Sequence, residues 1–355
     1  MKAFLARPIV RIILAVVIAV VIIVAPITSS PYVNYQLSII AVFAVALLGL
    51  NIVMGYTGQV SLGQSAFLGL GAYIAAYGVR MGWPIVLTFL LCCVIPAAVG
   101  LLVALAAARL RGLALAMVTI ALPIIGVPLA KRFPDFTGGS QGTSVSFLEA
   151  PDWSGLADDQ WRYYIVVAIA VVLFLLGRNL VRGRIGRAFA IVKSNEAVAL
   201  SMGISPYRYK VLAFTVASLF GGAAGFLYIA VVQYTSPETL SFATSINLIA
   251  AMVIGGSASI LGTILGAIYF VVLPIAAGQI DASRTALISG AVLLAVLFLL
   301  PGGLVSLPRR IVQLTSGAKR RGGSTPANQT PTGGTAPDGT APGNTAESAA
   351  QKQPK

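Results

Sequence analysis

Long uninterrupted apolar runs are the feature that most limits how this chain folds. The clearest are Ile12–Ile27, Ile85–Ala108, Tyr163–Leu176 and Ala286–Leu300. Roughly 20 apolar residues in a helix span the hydrocarbon core of a bilayer. Only 10% of the residues are charged, against about a quarter in soluble domains. The sequence therefore predicts an all-α, polytopic transmembrane helical bundle with about eight full crossings plus a broken helix pair, or roughly 8–10 spans.

The first of these runs follows three basic residues, Lys2, Arg7 and Arg11, an arrangement that is also typical of a secretory signal peptide. The run is long, however, and it lacks a convincing small-residue cleavage site. We therefore expect an uncleaved first helix.

The net charge of +14 would favour nucleic acid or anionic surfaces in a soluble protein, but here the basic residues lie in the loops. Lys and Arg in short loops mark the cytoplasmic side of a membrane protein. A cytoplasmic N-terminus places on that side every basic residue except Arg80, Lys131, Arg132, Arg162 and Arg284. It places on the other side Asp135, Glu149, Asp152, Asp158, Asp159, Glu238 and Asp281. Both termini are thus predicted to be cytoplasmic, and no nucleic acid is expected as a partner.

One segment, Ala243–Ala276, is too long for a straight helix and is interrupted by the glycine-rich stretch Gly255–Ser259. A broken pair that enters the membrane and returns keeps the basic residues after Leu304 on the cytoplasmic side. Lipid cannot satisfy the N–H and C=O groups of irregular backbone, so such a break is tolerated only inside protein or along a cavity. We interpret it as part of a transport path; glycines that only allow close helix packing are the alternative.

Another interruption, Met54–Gln64, lies between the apolar runs Leu37–Leu50 and Ala66–Tyr77, and its GQVSLG resembles the GSASILG of the other break. Matching breaks in two halves of a transporter point to its binding site. The predicted translocation path consists of Asn51, Gly55, Gly58, Gln59, Ser61, Gly63, Gln64, Asn247, Gly255 and Gly256. The alternative for its polar members is that they hydrogen-bond neighbouring helices and only hold the bundle together.

The transmembrane permease domain is predicted to comprise 1–315, and two of its loops and the tail that follows it are predicted to lie outside the bilayer. The loop 131–161 is extracytoplasmic and long enough to cap a pore or contact a partner. The cytoplasmic loop 178–209 has apolar positions that allow an amphipathic helix in at least two pieces, suited to a groove on a partner or to the membrane interface. The tail 316–355 is rich in Gly, Pro, Thr and Ala and is predicted to be disordered.

Residue types needed for catalysis and ion coupling are scarce. The sequence has no His, its acidic residues fall in predicted loops or the tail, and its two cysteines, Cys92 and Cys93, are adjacent within an apolar run. We therefore predict no catalytic residue and no metal site, and the pattern argues against a proton-coupled secondary transporter. A sodium-coupled carrier that uses backbone carbonyls and a passive channel stay open at this point.

Four stretches together resemble the LivM-type permeases, which are inner-membrane subunits of branched-chain amino acid ABC transporters, and their urea and short-amide relatives. These stretches are Gly55–Phe67, Thr137–Gly142, Gly186–Phe214, and Gly255–Gly262 with Pro301–Leu304. In the first, Gln64 stands where His is common in that family, and in the second, Ser140 and Gln141 replace Pro and Asn. The resemblance covers nearly the whole chain except the tail.

The resemblance implies a bacterial inner-membrane permease for branched-chain amino acids, or for urea or a short amide. The implied partners are a homologous second permease subunit, two cytoplasmic ATPase subunits, an extracytoplasmic substrate-binding protein and membrane lipid. No cofactor is expected on this chain: it has no G-x-x-x-x-G-K-[ST] phosphate loop, so ATP would bind the partner subunits.

The resemblance also implies a set of residues that couple this chain to the ATPase, namely Arg187, Glu196, Ala197 and Gly203. The stretch Glu196–Gly203 would form a turn and a short coupling helix in the ATPase groove. In the alternative, Gly203 only ends a surface helix as its C-terminal cap.

Overall fold

The computed structural model describes residues 20, 22–107, 113–281, 284–299 and 303–306. Six helices in this part of the chain are long and apolar enough to cross a membrane, and two shorter apolar helices accompany them. The prediction of a polytopic helical bundle is therefore confirmed. Most of the first apolar run, the basic residues Arg109 and Arg111, and the predicted tail lie outside the described residues.

The α-helices are numbered here in chain order from Pro31 onward. They are α1 (Pro31–Leu50), α2 (Gln64–Arg80), α3 (Ile85–Ala107), α4 (Leu113–Arg132), α5 (Pro134–Thr137), α6 (Asp158–Arg182), α7 (Arg184–Ser194), α8 (Glu196–Ser201), α9 (Pro206–Val232), α10 (Phe242–Gly255), α11 (Ile260–Ile280) and α12 (Thr285–Leu299). A π-helix covers Asn51–Tyr56, and 3₁₀ turns cover Gly139–Gln141, Asp152–Ser154, Pro237–Leu240 and Leu304–Ser306. Two short strands, β1 (Thr143–Ser144) and β2 (Tyr234–Thr235), pair antiparallel with Thr143 opposite Thr235.

Helices α1 and α9 form the centre of the bundle. Helix α9 packs against α1, α2 and α3, and the most apolar windows of α1 and α9 are each 72% buried, whereas that of α6 is 22% buried. Lipid tails are as apolar as the helices, so association in a membrane depends on close packing of small residues. Gly222 of α9 supplies such a contact, because a Cβ on Gly71 of α2 would lie 2.3 Å from its carbonyl oxygen.

The two predicted loops lie at opposite ends of α9. Its 27 residues span about 40 Å. The basic loop with α7 and α8 lies at its beginning, and the loop 131–161 reaches its end through the β1–β2 pair. The structure thus separates the basic loop from the acidic one, as the charge pattern predicts.

The broken helix pair is present at the predicted position. Helix α10 ends at Gly255, α11 begins at Ile260, and the two helices pack along one another. The turn between them is capped by Ser259, whose Oγ accepts from the N–H of Gly262 at 3.2 Å. At 14 residues, α10 is about 21 Å long and is shorter than the roughly 30 Å hydrocarbon core.

Candidate translocation and coupling site

The first interruption, defined here as residues 51–63, begins where α1 changes into the π-helix at Asn51. Single π-helical turns are rare and occur often at functional sites. Residues 57–63 have no regular structure before α2 begins at Gln64. The sequence-based expectation of a helix break at Met54–Gln64 is confirmed, although the π-helical geometry was not anticipated.

The second interruption, defined as residues 256–259, is held by the side chain of Asn51. The Asn51 amide nitrogen donates to the carbonyl oxygen of Ser259 at 2.9 Å, and its oxygen accepts from the N–H of Ala258 at 2.8 Å. Asn51 is fully buried. A Cβ on Gly55 would lie 2.6 Å from the Ala258 nitrogen, so the two backbones approach closely. The two breaks that the sequence relates to one another are therefore in direct contact.

Glycines in and beside the second interruption make close backbone contacts. A Cβ on Gly255 would lie 2.0 Å from the carbonyl oxygen of Gly262, and a Cβ on Gly303 would lie 2.6 Å from the Cα of Gly256. Gly255 and Gly256 are buried. Here the close-packing alternative describes the local geometry, and a role in translocation remains a prediction.

Gln59 and Ser61 lie inside the chain. Gln59 is 5% exposed, and its amide nitrogen donates to Thr57 Oγ1 at 2.9 Å and to the carbonyl oxygen of Lys210 at 3.3 Å. Ser61 is 2% exposed. Gln59 therefore joins the first interruption to the beginning of α9.

Gln64 and Asn247 have opposite environments. Gln64 is buried, and its amide nitrogen donates to the carbonyl oxygens of Ala46 and Ala217 at 3.0 and 3.3 Å, which ties α1 to α9. Its amide oxygen has no hydrogen-bond partner among the described residues. Asn247 lies on the exposed face of α10, so the predicted path residues do not share one surface within this chain.

The end of the first interruption packs against α4. The N–H of Leu62 donates to Thr119 Oγ1 at 3.0 Å. A Cβ on Gly63 would lie 3.0 Å from the carbonyl oxygen of Thr119 and 2.9 Å from Leu122 Cδ1. Gly63 thus permits the close approach of α4.

The basic loop 178–209, predicted to form an amphipathic helix in two pieces, forms α7 and α8. Helix α7 buries Phe189 and Val192 against the bundle and leaves Arg187 exposed. Helix α8 instead exposes its apolar side chains: Val198 is 47% exposed and Leu200 is 63% exposed. One piece of the loop is therefore bound to this chain, and the other presents an apolar surface outward.

Asn195, which precedes the predicted coupling residues Glu196 and Ala197, caps α8. The Asn195 side chain accepts from the N–H groups of Ala197 and Val198 at 2.8 and 3.3 Å, which satisfies two of the free donors at a helix start. Glu196 forms a 2.5 Å ion pair with Lys210, and Ala197 is exposed. Asn before an acidic residue is a recognisable start signal, so the cap was within reach of the sequence, whereas the ion pair was not.

Gly203 ends α8 as a C-terminal cap. Its φ is +74°, its N–H donates to the carbonyl oxygen of Leu200 at 3.0 Å, and the N–H of Ile204 donates to that of Ala199 at 2.8 Å. This pair of bonds defines a Schellman motif, which is the alternative given for Gly203. A Cβ on Gly203 would contact nothing within 4 Å, so docking of this exposed turn to a partner remains a prediction.

Lys193 connects the basic loop to the first interruption, and sequence reasoning did not identify it. Its Nζ donates to the carbonyl oxygen of Gly55 at 2.6 Å. Its side chain also passes Gly58, where a Cβ would lie 3.1 Å from Lys193 Cγ. No local pattern predicts a bond between residues 138 apart in sequence.

The cavity between α2, α4 and α5, about 520 Å³ in volume, is lined by apolar groups. They include Phe67, Leu70, Leu122, Ile125, Phe133 and Leu240. An amino acid has an ammonium and a carboxylate group, and both need polar partners once they leave water. The lining of this cavity does not supply them.

Comparison with known proteins identifies the family. The family model described as branched-chain amino acid transport system permease component matches residues 32–300 of this chain. The high-affinity branched-chain amino acid transport system permease protein LivM of Escherichia coli is 31% identical over 79% of this chain and 71% of its own length. The Salmonella typhimurium LivM is 31% identical over 78% and 70%, respectively. The autoinducer 2 import system permease protein LsrC of Klebsiella pneumoniae is 30% identical over 44% of this chain and 46% of its own length. This chain, with its paired interruptions and its helical loop, belongs to the branched-chain amino acid transport system permease family.

Proposed function

We propose that this chain is a membrane-spanning subunit of an ABC importer and forms part of the translocation path for branched-chain amino acids. The observation that supports this most directly is that the loop α7–α8 contacts the first interruption, which in turn contacts the second, in a chain that belongs to a permease family. Such a contact joins the surface where an ATPase would bind to the irregular backbone where substrate would pass.

The outward surface of α8 is the proposed ATPase contact. Val198, Leu200 and Met202 expose apolar side chains beside a loop that is otherwise polar and basic. An exposed apolar helix face is suited to a groove on a partner protein. Two cytoplasmic ATPase subunits would bind ATP, because the sequence of this chain has no phosphate-binding loop.

A second, homologous permease subunit is proposed to complete the path. Asn247 lies on the exposed face of α10, and a polar side chain in contact with lipid is unfavourable. A facing subunit or a water-filled path would provide partners for its amide. Under this proposal, Gln59, Ser61 and Gln64 shape the path from within this chain, and Asn247 lies at its boundary with the other subunit.

An extracytoplasmic binding protein is proposed to deliver the substrate to the 131–161 loop. Trp153 is 81% exposed and lies edge-to-face with Trp161, with ring centroids 6.0 Å apart. Exposed Trp residues are enriched in protein interfaces. The loop would face the outside of a bacterial plasma membrane, with both termini in the cytoplasm.

The orientation is tested with cysteines at Ser154 and Ser316. The two natural cysteines are buried, so the background labelling of intact cells is expected to be low. A membrane-impermeant thiol reagent should label the Ser154→Cys variant in intact cells and the Ser316→Cys variant only after the cells are opened. Labelling of Ser316→Cys in intact cells would reverse the orientation.

The function is tested by reconstituting this chain in proteoliposomes with the ATPase, second permease and binding protein encoded by its neighbouring genes. Uptake of labelled leucine should require ATP and should be reduced by valine and isoleucine. Urea and acetamide distinguish the related permeases. If either of them competes and valine does not, the branched-chain assignment is wrong; uptake without ATP would exclude an ABC importer.

A further inference from the structure

The last turn of α7 reaches back to the first interruption. The ammonium group of Lys193 lies 2.6 Å from the carbonyl oxygen of Gly55, and its methylene groups pass Gly58. Gly55 is the penultimate residue of the π-helix. Carbonyl groups at the end of a helix lack intrahelical partners, and a lysine there supplies a charge-assisted hydrogen bond.

The Gly55 carbonyl lies within the contact between the two interruptions. Its own residue packs against Ala258, and Asn51, one turn earlier, bonds to Ala258 and Ser259. Lys193 is therefore hydrogen-bonded directly to the backbone at the contact between the two interruptions. A displacement of α7 would thus act on this carbonyl.

The loop has a further attachment to the same region. Glu196, the first residue of α8, is paired with Lys210, and the carbonyl of Lys210 accepts from the Gln59 amide at 3.3 Å. Lys193 and Lys210 thus hold the loop at both ends of the segment 55–59. This segment cannot keep its position if the loop moves while both attachments remain.

We propose that Lys193 is a positioning residue that transmits movement of α7 and α8 to the two interruptions. This inference rests on the proposed ATP-driven function. Because of the Lys193–Gly55 bond, the first interruption moves together with the loop. The hydrogen bonds of Asn51 transmit this movement to the second interruption. Without the ammonium group, the ATPase subunits still bind α8 and hydrolyse ATP, but the interruptions no longer follow.

The variant that tests this proposal is Lys193→Met, which keeps an unbranched apolar side chain beside Gly58 and removes only the donor. Uptake per ATP hydrolysed should fall about tenfold, a factor within the usual range for coupling between sites. The conservative variant Lys193→Arg restores a cationic donor and should recover most of the uptake. The matched control is Arg184→Met, which removes an exposed cation from the first residue of the same helix and should leave the ratio unchanged.

A conformational readout separates transmission from simple stability. Ser257 lies exposed in the second interruption, and the reactivity of Ser257→Cys with a maleimide should change when ATP is added to the assembled transporter. The same ATP-dependent change should be lost in combination with Lys193→Met and retained with Arg184→Met.

The outcomes are distinct. If the unmodified complex shows no ATP-dependent leucine uptake, the proposed function fails. If it transports leucine and Lys193→Met keeps both the uptake ratio and the ATP-dependent change at Ser257→Cys, only the role of Lys193 is refuted. Loss of ATPase co-purification in Lys193→Met, or an Arg variant as impaired as the Met variant, would also overturn it.

Discussion

The two helix interruptions have similar sequences but are held in different ways. The first is stabilised by its own polar side chains: Asn51 and Gln59 are buried and hydrogen-bonded to distant backbone. The second relies on close backbone contacts of Gly255 with Gly262 and of Gly256 with Gly303, and its long-range side-chain hydrogen bonds come from Asn51. The first interruption therefore acts as the support, and the second depends on it.

This difference shows that glycine-rich breaks of similar sequence are not equivalent. An irregular segment that contains amide side chains, such as the first interruption, can form its own hydrogen bonds to backbone groups distant in sequence. A segment that contains only small residues, such as the second interruption, needs hydrogen-bond partners from another element for its N–H and C=O groups. Variants in each break should therefore differ in their effects on the whole bundle.

The largest effect is expected for Asn51→Leu. This change leaves the N–H of Ala258 and the C=O of Ser259 without the partners that Asn51 provides. Both bonds are partly buried, and losing the partner costs about 2 kcal/mol for each group. We expect the free energy of unfolding to fall by about 4 kcal/mol, measured by thermal or denaturant unfolding of the purified protein in detergent.

Asn179→Leu is the matched control, because Asn179 is exposed on α6 and its replacement should change stability by less than about 0.5 kcal/mol. Equal losses in the two variants would show that Asn51 does not support the second interruption.

Gly255→Ala is expected to have the next largest effect. The added methyl group would lie 2.0 Å from the Gly262 carbonyl oxygen, so α10 and α11 would have to separate. Overpacking of this kind costs about 3 kcal/mol, and we expect a lower unfolding temperature together with reduced leucine uptake.

Gly290→Ala in α12 provides the comparison, since a Cβ there would contact nothing within 4 Å. Alanine is favoured over glycine within a helix by about 0.5–1 kcal/mol, so this variant should be unchanged or slightly stabilised. If Gly255→Ala is also unchanged or slightly stabilised, the close contact between Gly255 and Gly262 is not needed to hold α10 and α11 together beside the second interruption.

The Gln59→Leu variant tests the first interruption as part of the path. It removes the bonds to Thr57 and to the Lys210 carbonyl, and we expect a loss of about 2 kcal/mol in stability. If Gln59 also contributes to the path, uptake should stop in the assembled complex, and Ser61→Leu should do the same. Unchanged transport by both variants would assign them to packing alone.

The smallest effect is expected for Gly203→Ala, outside both interruptions. The φ of +74° costs a residue with a Cβ about 1 kcal/mol, and no neighbouring atom obstructs the methyl group. Assembly with the ATPase should therefore survive. A large loss of co-purification for Gly203→Leu, but not for Gly203→Ala, would place a partner surface directly at this turn.

Much of the architecture follows from local sequence patterns. Apolar runs predict helices because a bilayer requires every backbone group to be satisfied within the segment, and the two breaks are visible where glycines interrupt these runs. Helix caps are also local, and the cap at Gly203 was recognised as an alternative from the following Ile204 and Pro206. Each of these features depends on residues that are close to one another in the sequence.

The partners of the polar side chains were decided only by tertiary packing. Sequence alone placed Asn51, Gln59 and Asn247 in one group, but the structure buries the first two in hydrogen bonds within the chain and leaves Asn247 on the exposed face of α10. Asn51 bonds to a residue 207 positions away, and Lys193 reaches Gly55 across 138 positions. Such bonds depend on which helices become neighbours and at what depth, because a side chain finds a distant partner only after close packing of the helices has brought the two backbones together.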